Sequence, residues 1–304
     1  MSRKIIITGA TGFIGRNICS KLIERGDEIT IFTRSVDMAK KVTPGASKYI
    51  AWNYSLKNWY DEISEKDAVI NLTGESLLSK RWSEEHKNEV RNSRINSTRA
   101  LVEAIKLSDE RPKTFISASA VGFYGDSESE VDELSPKGKG FLSDLVYDWE
   151  KEAAKVDELN VRRICVRIGI VLDKDDGALA KMVLPFRFFI GGPLGSGKQW
   201  MPWIHIDDLA NLFLFALDNE QIEGIINGVS PNPVRMNDFA KSIGKAMNRP
   251  AIFKVPEFVL KLILGEASET ITKGAKVSPR KAVELGYEFK YKKLDKALEK
   301  IFNE

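Results

Sequence analysis

Three glycines near the start of the chain are spaced to bind a phosphate group. Gly9, Gly12 and Gly15 follow the apolar residues 5–7, and a segment with apolar residues at four-residue intervals comes next. In such a strand–loop–helix unit, the first glycine allows a tight turn, the second lets backbone N–H groups approach a diphosphate, and the third lets the helix pack against the strand. The positive end of the helix would attract the diphosphate. The spacing therefore predicts a dinucleotide-binding loop, and a glycine-rich turn without a ligand is the alternative.

The second predicted strand ends in an arginine where many dinucleotide-binding folds carry an acid. This strand spans Glu28–Thr33, and Arg34 follows it. An acidic residue at this position binds the ribose 2′-hydroxyl of NAD, whereas an arginine accommodates the 2′-phosphate of NADP. Arg34 therefore favours NADP(H), with support from Arg16 in the first helix, and a solvated loop cation is the alternative.

Two hydroxyl side chains follow the fifth predicted strand, which spans residues 113–117. Ser119 could donate a hydrogen bond to a substrate carbonyl, and Tyr124 could donate a proton. The carboxyl ends of strands in an open parallel sheet face the cofactor crevice, so this strand end can present both hydroxyls to a nicotinamide ring. An equally good interpretation is that the local backbone satisfies both hydroxyls.

The elements that must position these residues alternate along the first half of the chain. Six strands are predicted, at residues 5–7, 28–33, 49–52, 67–74, 113–117 and 162–170. Long helices are predicted at 82–107 and 142–159, and an acidic loop at 126–140. Repeated alternation of strand and helix is typical of a doubly wound parallel sheet, the α/β Rossmann architecture.

The sequence changes character after residue 171. The predicted elements there are short: a glycine-rich loop at 191–199, a strand at 224–229, and helices at 206–217, 236–247, 256–264, 279–285 and 294–302. We therefore expect an NADP(H)-binding Rossmann domain at 1–171 and a smaller α+β substrate domain at 172–304. Trp82, Trp200 and Trp203 could line a substrate cleft between the two domains, and core packing explains them equally well.

Composition argues against several classes of partner. The 304 residues include 46 Lys and Arg against 43 Asp and Glu, and the net charge of +3 gives no reason to expect a nucleic-acid or membrane partner. No apolar run approaches the roughly 18 residues of a membrane helix, and no signal peptide is visible. Cys19 and Cys165 lie among apolar neighbours and are expected to be reduced core residues of a cytoplasmic protein. The two histidines, His86 and His205, are far apart in sequence, so we expect no metal site.

Four motifs spread along the whole chain match the pattern of a single protein superfamily. They are TGATGFIG at 8–15, NLTG at 71–74, SAVGFYG at 119–125 and HIDD at 205–208. Together they resemble the extended short-chain dehydrogenase/reductases, the NAD-dependent epimerase/dehydratase superfamily. A narrower set, including GGPLGSG at 191–197 and PWIH at 202–205, looks like an atypical epimerase-family branch, short-chain dehydrogenase family 39U. That branch carries a small C-terminal domain of its own, here at 254–301.

The resemblance implies an NADP(H)-binding protein and carries over a set of cofactor contacts. The glycine loop would hold the pyrophosphate, the end of the second strand the adenosine ribose with its phosphate, and the end of the fourth strand the adenine side. Two residues of the long helix and one after the sixth strand would complete the pocket. The full set is Gly9, Thr11, Gly12, Phe13, Ile14, Gly15, Thr33, Arg34, Leu72, Thr73, Gly74, Glu89, Arg94 and Ile170.

One departure from the superfamily pattern bears on catalysis. Superfamily members use a Tyr-x-x-x-Lys pair, in which the lysine lowers the tyrosine pKa so that the tyrosine can relay a proton. Tyr147 and Lys151 match this pattern, yet at roughly 100° per residue they lie opposite the apolar stripe of their helix. Counting back from Glu150, which resembles the glutamate after the family motif, places Leu142 and Val146 at the two catalytic positions. We therefore expect Tyr147 and Lys151 to be a solvated pair.

Two functions follow from the resemblance and this departure. The first is an NADP(H)-dependent oxidoreductase or nucleoside-diphosphate-sugar epimerase-like enzyme, acting on a small polar, carbohydrate-like molecule as a monomer or homodimer. Its catalytic candidates are then Ser119 and Tyr124. The alternative is a non-catalytic NADPH-binding regulatory protein.

Overall fold

The computed structural model describes residues 2–55 and 57–303. Within these residues the chain forms thirteen strands and twelve α-helices. The strands are β1 (Lys4–Thr8), β2 (Glu28–Thr33), β3 (Lys48–Ala51), β4 (Ala68–Asn71), β5 (Thr114–Ala120), β6 (Ser127–Val131), β7 (Arg162–Ile168), β8 (Ile170–Leu172), β9 (Trp200–Met201), β10 (Trp203–His205), β11 (Gly224–Gly228), β12 (Val234–Arg235) and β13 (Ala275–Val277).

The helices surround the strands. They are α1 (Phe13–Glu24), α2 (Val36–Val42), α3 (Glu84–Leu107), α4 (Phe141–Ala153), α5 (Gly177–Met182), α6 (Leu184–Arg187), α7 (Ile206–Asp218), α8 (Met236–Met247), α9 (Glu257–Leu264), α10 (Glu269–Thr272), α11 (Arg280–Glu284) and α12 (Leu294–Asn303). Short 3₁₀ helices lie at Tyr60–Ile63, Val121–Tyr124, Ala154–Leu159 and Gly265–Ser268.

Seven parallel strands form the main sheet in the order β11-β7-β5-β4-β1-β2-β3. β1 lies between β2 and β4, so the chain winds first to one side of β1 and then to the other. This doubly wound order confirms the predicted α/β Rossmann architecture. In such a sheet, ligands bind beyond the carboxyl ends of the strands where the winding direction switches, which here is between β1 and β4.

The alternation of β1 divides its isoleucines between two cores. Ile5 and Ile7 pack with residues of α1 and α7 on one face, whereas Ile6 packs with residues of α3 and with Trp59 on the other. All three isoleucines are fully buried. A strand covered on both faces needs apolar side chains at successive positions, which explains the continuous apolar run in the sequence.

The seventh strand of the main sheet comes from the C-terminal half of the chain. β11 was predicted as a short strand of the smaller domain, yet it pairs with β7, and α7 packs against α1. The prediction of a six-stranded sheet was therefore wrong by one strand. A local pattern identifies a strand but not its partner, because parallel strands pair across long crossover connections. The two-domain division between residues 171 and 172 stays a prediction. From the C-terminal half, β11 belongs to the main sheet and α7 packs against α1.

Two further predictions needed correction. The predicted strand at 162–170 breaks at Gly169, where a Cβ would lie 2.5 Å from the Pro202 carbonyl oxygen, and β8 then leaves the main sheet to pair with β10. The predicted loop at 126–140 contains β6, which pairs with β13. The sequence pattern missed β6 because its central three residues are polar and exposed, so it has no apolar alternation.

The two long helices agree with their predictions. α3 begins after Ser83, whose hydroxyl accepts a hydrogen bond from the His86 backbone N–H at 3.1 Å. A serine at this position satisfies one of the free N–H groups of the first turn. α4 ends at Ala153, and a 3₁₀ helix continues it to Leu159.

Asp208 on α7 holds the C-terminal segment. Its carboxylate accepts hydrogen bonds from the backbone N–H groups of Lys290 at 2.8 Å and Tyr291 at 2.9 Å. The Tyr287 hydroxyl donates to the Asp208 carbonyl at 2.6 Å. A separate hydrophobic core, which includes Trp203, joins α8 and α12.

Cys19 and Cys165 are buried and free, which confirms the prediction of core residues without a disulfide. Burial raises the pKa of both thiols to about 12. In the described part of the chain, no helix combines the length and apolar character needed to cross a membrane. Within residues 2–55 and 57–303, no group of three His, Cys, Asp or Glu side chains is arranged to hold a metal ion.

Candidate cofactor crevice and hydroxyl network

The loop between β1 and α1 requires glycine at two positions and leaves space at a third. Gly9 has a φ of +68°, and a Cβ there would lie 2.7 Å from the Leu72 carbonyl oxygen. A Cβ at Gly15 would lie 2.2 Å from the Gly9 carbonyl oxygen, so the third glycine lets α1 pack against the loop. Gly12 is exposed, and a Cβ there would meet the Gly9 carbonyl oxygen at 3.3 Å. The fold therefore requires the first and third glycines, whereas a Cβ at Gly12 would be tight against the Gly9 carbonyl oxygen and would otherwise face the exposed front of the loop.

The N-terminus of α1 has no side-chain cap. Gly12 is its N-cap residue, and the first turn carries no acidic side chain. The first N–H groups of a helix have no partner within the helix, and together with the helix dipole they attract an anion. Thr11, Phe13 and Ile14 are half-buried beside this end. These residues fit a diphosphate group.

The segment before α5 lies against the glycine loop. Asp176 forms an ion pair with Arg16, and a Cβ at Gly177 would lie 3.1 Å from the Phe13 ring. Arg16 was expected to support a 2′-phosphate site, but it already has an acidic partner.

The end of β2 presents an unpaired cation. Arg34 is exposed and makes no ion pair or hydrogen bond within the described residues. Thr33 is buried, and its hydroxyl donates to the Ser35 carbonyl at 3.2 Å. Ser35 is the N-cap of α2 and accepts from the Met38 N–H at 3.4 Å. Sequence reasoning missed Ser35, although a serine before a first turn that contains Asp37 is a capping signal.

The end of β4 contains a buried hydroxyl without a partner. Thr73 Oγ1 has no hydrogen-bond partner among the described residues. Such atoms are rare in folded proteins and call for an explanation such as a missing bound group. Leu72, on one side, contacts Gly9. Gly74, on the other side, allows close approach of α3, since a Cβ there would lie 2.9 Å from Cζ of Arg94.

Backbone carbonyls and an aromatic ring hold Arg94 in place. Its guanidinium donates to the carbonyl oxygens of Glu75 at 2.8 Å and Val90 at 3.1 Å, and lies 5.3 Å from the centre of the Trp149 ring. Burial lowers the pKa of Arg94 to about 10. The side chain is therefore positioned beside the end of β4, as the cofactor prediction requires.

Glu89 and Ile170 are the remaining residues of the predicted cofactor set. Glu89 accepts from His86 Nδ1 at 3.2 Å and pairs with Lys80 at 3.1 Å. The hydrogen bond from His86 and then that from Lys80 hold the pKa of Glu89 below its usual value. His86 is buried, and its Nε2 has no partner within the described residues. Ile170 is half-buried at the start of β8.

Ser119 and Tyr124 are joined by a buried network of side chains, which we call the hydroxyl network. Ser119 donates to Oε1 of Glu150 at 2.5 Å, and Arg167 donates to both Glu150 oxygens, each at 2.8 Å. Arg167 also donates to the Tyr124 hydroxyl at 2.9 Å, and that hydroxyl donates to Oδ1 of Asn227 at 2.8 Å. Each of the five residues is at most 9% exposed. The structure thus connects the two predicted hydroxyls through residues that sequence reasoning had not grouped with them.

The hydroxyl network keeps Tyr124 protonated. Burial raises the pKa of Tyr124 to about 12, although the charge of Arg167 opposes this shift. Burial alone would lower the pKa of Arg167, but its hydrogen bonds and charge contact with Glu150 outweigh burial and raise it. At neutral pH, Tyr124 is therefore a hydrogen-bond donor and a poor base. Catalytic roles for Ser119 and Tyr124 stay predictions.

Comparison with known proteins identifies the family. The sequence model of the NAD dependent epimerase/dehydratase family matches residues 5–154 and 190–227. This chain belongs to the NAD-dependent epimerase/dehydratase family. The match confirms the predicted resemblance. A second model, of a domain of unknown function (DUF1731), matches residues 255–301 at the C-terminal end of this epimerase/dehydratase family member.

Three relatives cover almost the whole chain. The chloroplastic epimerase family protein SDR39U1 homolog of Arabidopsis thaliana is 44% identical over 300 residues, which are 98% of this chain and 86% of the relative. The epimerase family protein YfhF of Bacillus subtilis is 37% identical over 98% of this chain and 97% of its own length. The crystal structure of the human epimerase family protein SDR39U1 with NADPH has a TM-score of 0.87 and 34% identity, covering 99% of both chains.

In this family member, the tyrosine and lysine of the local Tyr-x-x-x-Lys match face solvent. Tyr147 is 47% exposed, and Lys151 is exposed as well. This confirms the exposure predicted from helical phase, although the cation beside the Tyr147 ring is Lys137, with Nζ 5.5 Å from the ring centre. Val146 is buried on the opposite side of α4, and Leu142 lies against Gly122, where an added Cβ would be 3.3 Å from the Leu142 Cβ.

The three tryptophans considered for a substrate cleft occupy different environments. Trp203 is fully buried, so for this residue core packing is the correct interpretation. Trp200 lies under the guanidinium of Arg235, with Cζ 3.9 Å from the ring centre. Trp82 is half-buried and meets the Phe141 ring edge-on, with 5.1 Å between the ring centres.

Proposed function

We propose that this chain binds NADP(H) and is an oxidoreductase that acts on a small molecule. The observation that carries the proposal is an open phosphate loop combined with an unpaired cation. Gly12 leaves space before the uncapped N-terminus of α1, and Arg34 has no partner within the described residues. The human SDR39U1 protein, 34% identical to this chain, was solved with NADPH, which supports the same ligand here.

The residues present fit the dinucleotide at three places. The N–H groups at the start of α1 would bind the pyrophosphate in front of Gly12. Thr33 and Arg34 would hold the adenosine ribose and its 2′-phosphate, with charge-assisted hydrogen bonds from the guanidinium. The Thr73 hydroxyl, which is buried without a partner in the described structure, would gain one from the bound cofactor.

The chemistry of the site divides between cofactor and protein. A bound nicotinamide cofactor supplies a hydride to a carbon atom or accepts one from it. We propose that Ser119 and Tyr124 act on the substrate oxygen, since Ser119 is the last residue but one of β5, at its carboxyl end, and Tyr124 follows it closely. Tyr124 keeps its proton at neutral pH, because burial raises its pKa to about 12. Such a group supports hydrogen bonding to a carbonyl better than epimerisation, which needs a base or hydride return on both faces.

A screen of carbonyl compounds with NADPH oxidation as the readout tests this function. On the best substrate, Ser119→Ala and Tyr124→Phe should each reduce the rate by about 100-fold, as is typical of losing a group that donates a proton or hydrogen bond in the reaction. Tyr147→Phe is the matched control, because it removes an exposed tyrosine hydroxyl from α4. Full rates in both Ser119→Ala and Tyr124→Phe would show that other groups do the chemistry.

A non-catalytic NADPH-binding regulatory protein is the second candidate. It is favoured by Leu142 and Val146 at the positions of the family's tyrosine and lysine. The hydroxyl network favours it too, because the Ser119 and Tyr124 hydroxyls already have buried partners. In that case NADPH would bind, and no compound in the screen would oxidise it.

A further inference from the structure

The surface next to Leu142 is apolar. Leu142 begins α4 with Phe141, whose ring contacts Trp82 with 5.1 Å between centres. Trp82 in turn donates from Nε1 to the Leu77 carbonyl at 2.8 Å. All four residues are half-buried, so part of each side chain remains accessible. We call Leu77, Trp82, Phe141 and Leu142 the apolar wall. Its residue Leu142 occupies the position where the superfamily has its catalytic tyrosine.

α9 lies beside the apolar wall and is apolar on nearly every side. Its sequence is EFVLKLIL, and Leu260 is its one buried residue, whereas Phe258 is 72% and Leu262 is 74% exposed. A helix that is apolar all round is normally buried, and a large exposed apolar surface marks a binding site. The Leu262 carbonyl accepts from Arg81 at 2.5 Å, which fixes α9 next to the segment that carries Trp82.

Two lysines on this rim already have carboxylate partners. Lys80 pairs with Glu89 at 3.1 Å, Lys87 pairs with Glu266 at 2.5 Å, and Arg81 donates to a backbone carbonyl. A nucleoside diphosphate sugar needs cationic partners for its two phosphates. At Lys80 and Lys87 it would have to compete with Glu89 and Glu266, and it would also meet their negative charge. An uncharged apolar molecule has neither difficulty.

We infer that the substrate is an uncharged, predominantly apolar carbonyl compound, such as an aryl ketone, whose apolar body lies on the apolar wall and α9. This inference rests on the proposed oxidoreductase function and names its substrate class, in place of the carbohydrate-like molecule that the family resemblance implies. In the reducing direction, the carbonyl carbon gains a hydride from the reduced dinucleotide and the oxygen gains a proton from solvent. The products are an alcohol and the oxidised dinucleotide.

Binding of 2-acetylnaphthalene in the presence of NADP⁺ tests the inference, because this ketone cannot be reduced by the oxidised cofactor. Isothermal titration should show that the ketone binds and that UDP-glucose does not compete with it. Leu262→Ser should weaken ketone binding roughly 3- to 10-fold, as expected when part of the burial of a leucine is lost. Leu107→Ser is the matched control, since Leu107 is 66% exposed at the end of α3, and it should leave ketone affinity unchanged.

A titration of NADP⁺ alone distinguishes failure of the function from failure of the inference. If NADP⁺ does not bind, the proposed function fails, and the substrate inference fails with it. If NADP⁺ binds but UDP-glucose binds more tightly than the ketone, or Leu262→Ser keeps the parent's ketone affinity, the inference alone is overturned. If Leu262→Ser changes the sedimenting mass but not ketone affinity, α9 is a contact between copies of the chain, which also overturns it.

Discussion

The two ends of the crevice are built in opposite ways. At the nucleotide end, the backbone N–H groups in the first turn of α1 receive no side-chain cap, and the Arg34 guanidinium has no partner within the described residues. At the other end, the hydroxyl network joins Ser119 to Asn227 through side chains that satisfy one another. The first region is open to a ligand, and the second is closed on itself.

Burial explains this difference. The donors of the nucleotide end lie at an exposed helix terminus and an exposed arginine, where water can solvate them before a ligand arrives. The hydroxyl network is nearly inaccessible, and a buried polar group without a partner costs about 1–3 kcal/mol. A charged carboxylate such as that of Glu150 would cost more, so it needs Arg167. Openness therefore identifies where the cofactor binds, whereas Ser119 and Tyr124 can donate to a substrate oxygen only by giving up their bonds to Glu150 and Asn227.

Substitution of Arg167 in the hydroxyl network should cause the largest loss of unfolding free energy. Arg167→Leu would leave the Glu150 carboxylate buried without its ion-pair partner, which typically costs about 3–5 kcal/mol of unfolding free energy. Arg163→Leu is the matched control on the same strand. Arg163 pairs with Asp157, whose side chain is 49% exposed and so stays solvated when the arginine is lost, and this loss should therefore cost less than that of Arg167, about 1–2 kcal/mol. Urea denaturation measures both variants, and equal losses would show that the closed network adds no particular stability.

Two alanine substitutions at the nucleotide end should separate packing from binding. Gly15→Ala places a Cβ 2.2 Å from the Gly9 carbonyl oxygen, and overpacking of this kind costs about 1–3 kcal/mol. Gly12→Ala brings its Cβ only to 3.3 Å from that oxygen, so it should cost less, about 1 kcal/mol or less. It should nevertheless weaken NADPH binding about 10-fold or more, since its Cβ enters the space for the diphosphate. Thermal unfolding and NADPH titration of each variant measure the two effects, and parent-like NADPH affinity in Gly12→Ala would contradict the assignment of the phosphate loop.

Substitution of Tyr147 should have the smallest effect on stability, NADPH affinity and turnover. Its side chain is 47% exposed and lies outside both regions. Tyr147→Phe should change stability by no more than about 0.5 kcal/mol, and NADPH affinity and any turnover by no more than about twofold. Rate measurements on the best substrate check this. A loss of about 100-fold, typical of a missing general acid, would mean that Tyr147 reaches the reacting atoms.

Local patterns predicted the shape of the glycine loop. The spacing of Gly9, Gly12 and Gly15 encodes a turn, an open space and a close helix contact, all within seven residues. The apolar stripe of α4 encodes the outward direction of Tyr147 for the same reason, because helical phase depends on near neighbours alone. The family resemblance then supplied positions such as Thr73 and Arg94, which no local pattern marks.

Long-range partners could not be predicted in this way. Tyr124 and Asn227 are hydrogen-bonded although 103 positions separate them, and nothing near either residue marks the other. β11 had the composition of a strand, but its place beside β7 depends on the path of the chain across the sheet. The apolar wall was missed because half-buried leucines and aromatic residues have the same local pattern as core residues.

The most direct test of the account is a titration of NADPH and NADH into the parent protein and Arg34→Ala. The parent should bind NADPH more tightly than NADH, because the unpaired guanidinium can pair with the 2′-phosphate. Arg34→Ala should lose about 1–3 kcal/mol of NADPH binding, the range for charge-assisted hydrogen bonds, and almost none of its NADH binding. Equal affinity of the parent for the two cofactors would contradict the assignment of this crevice to NADP(H).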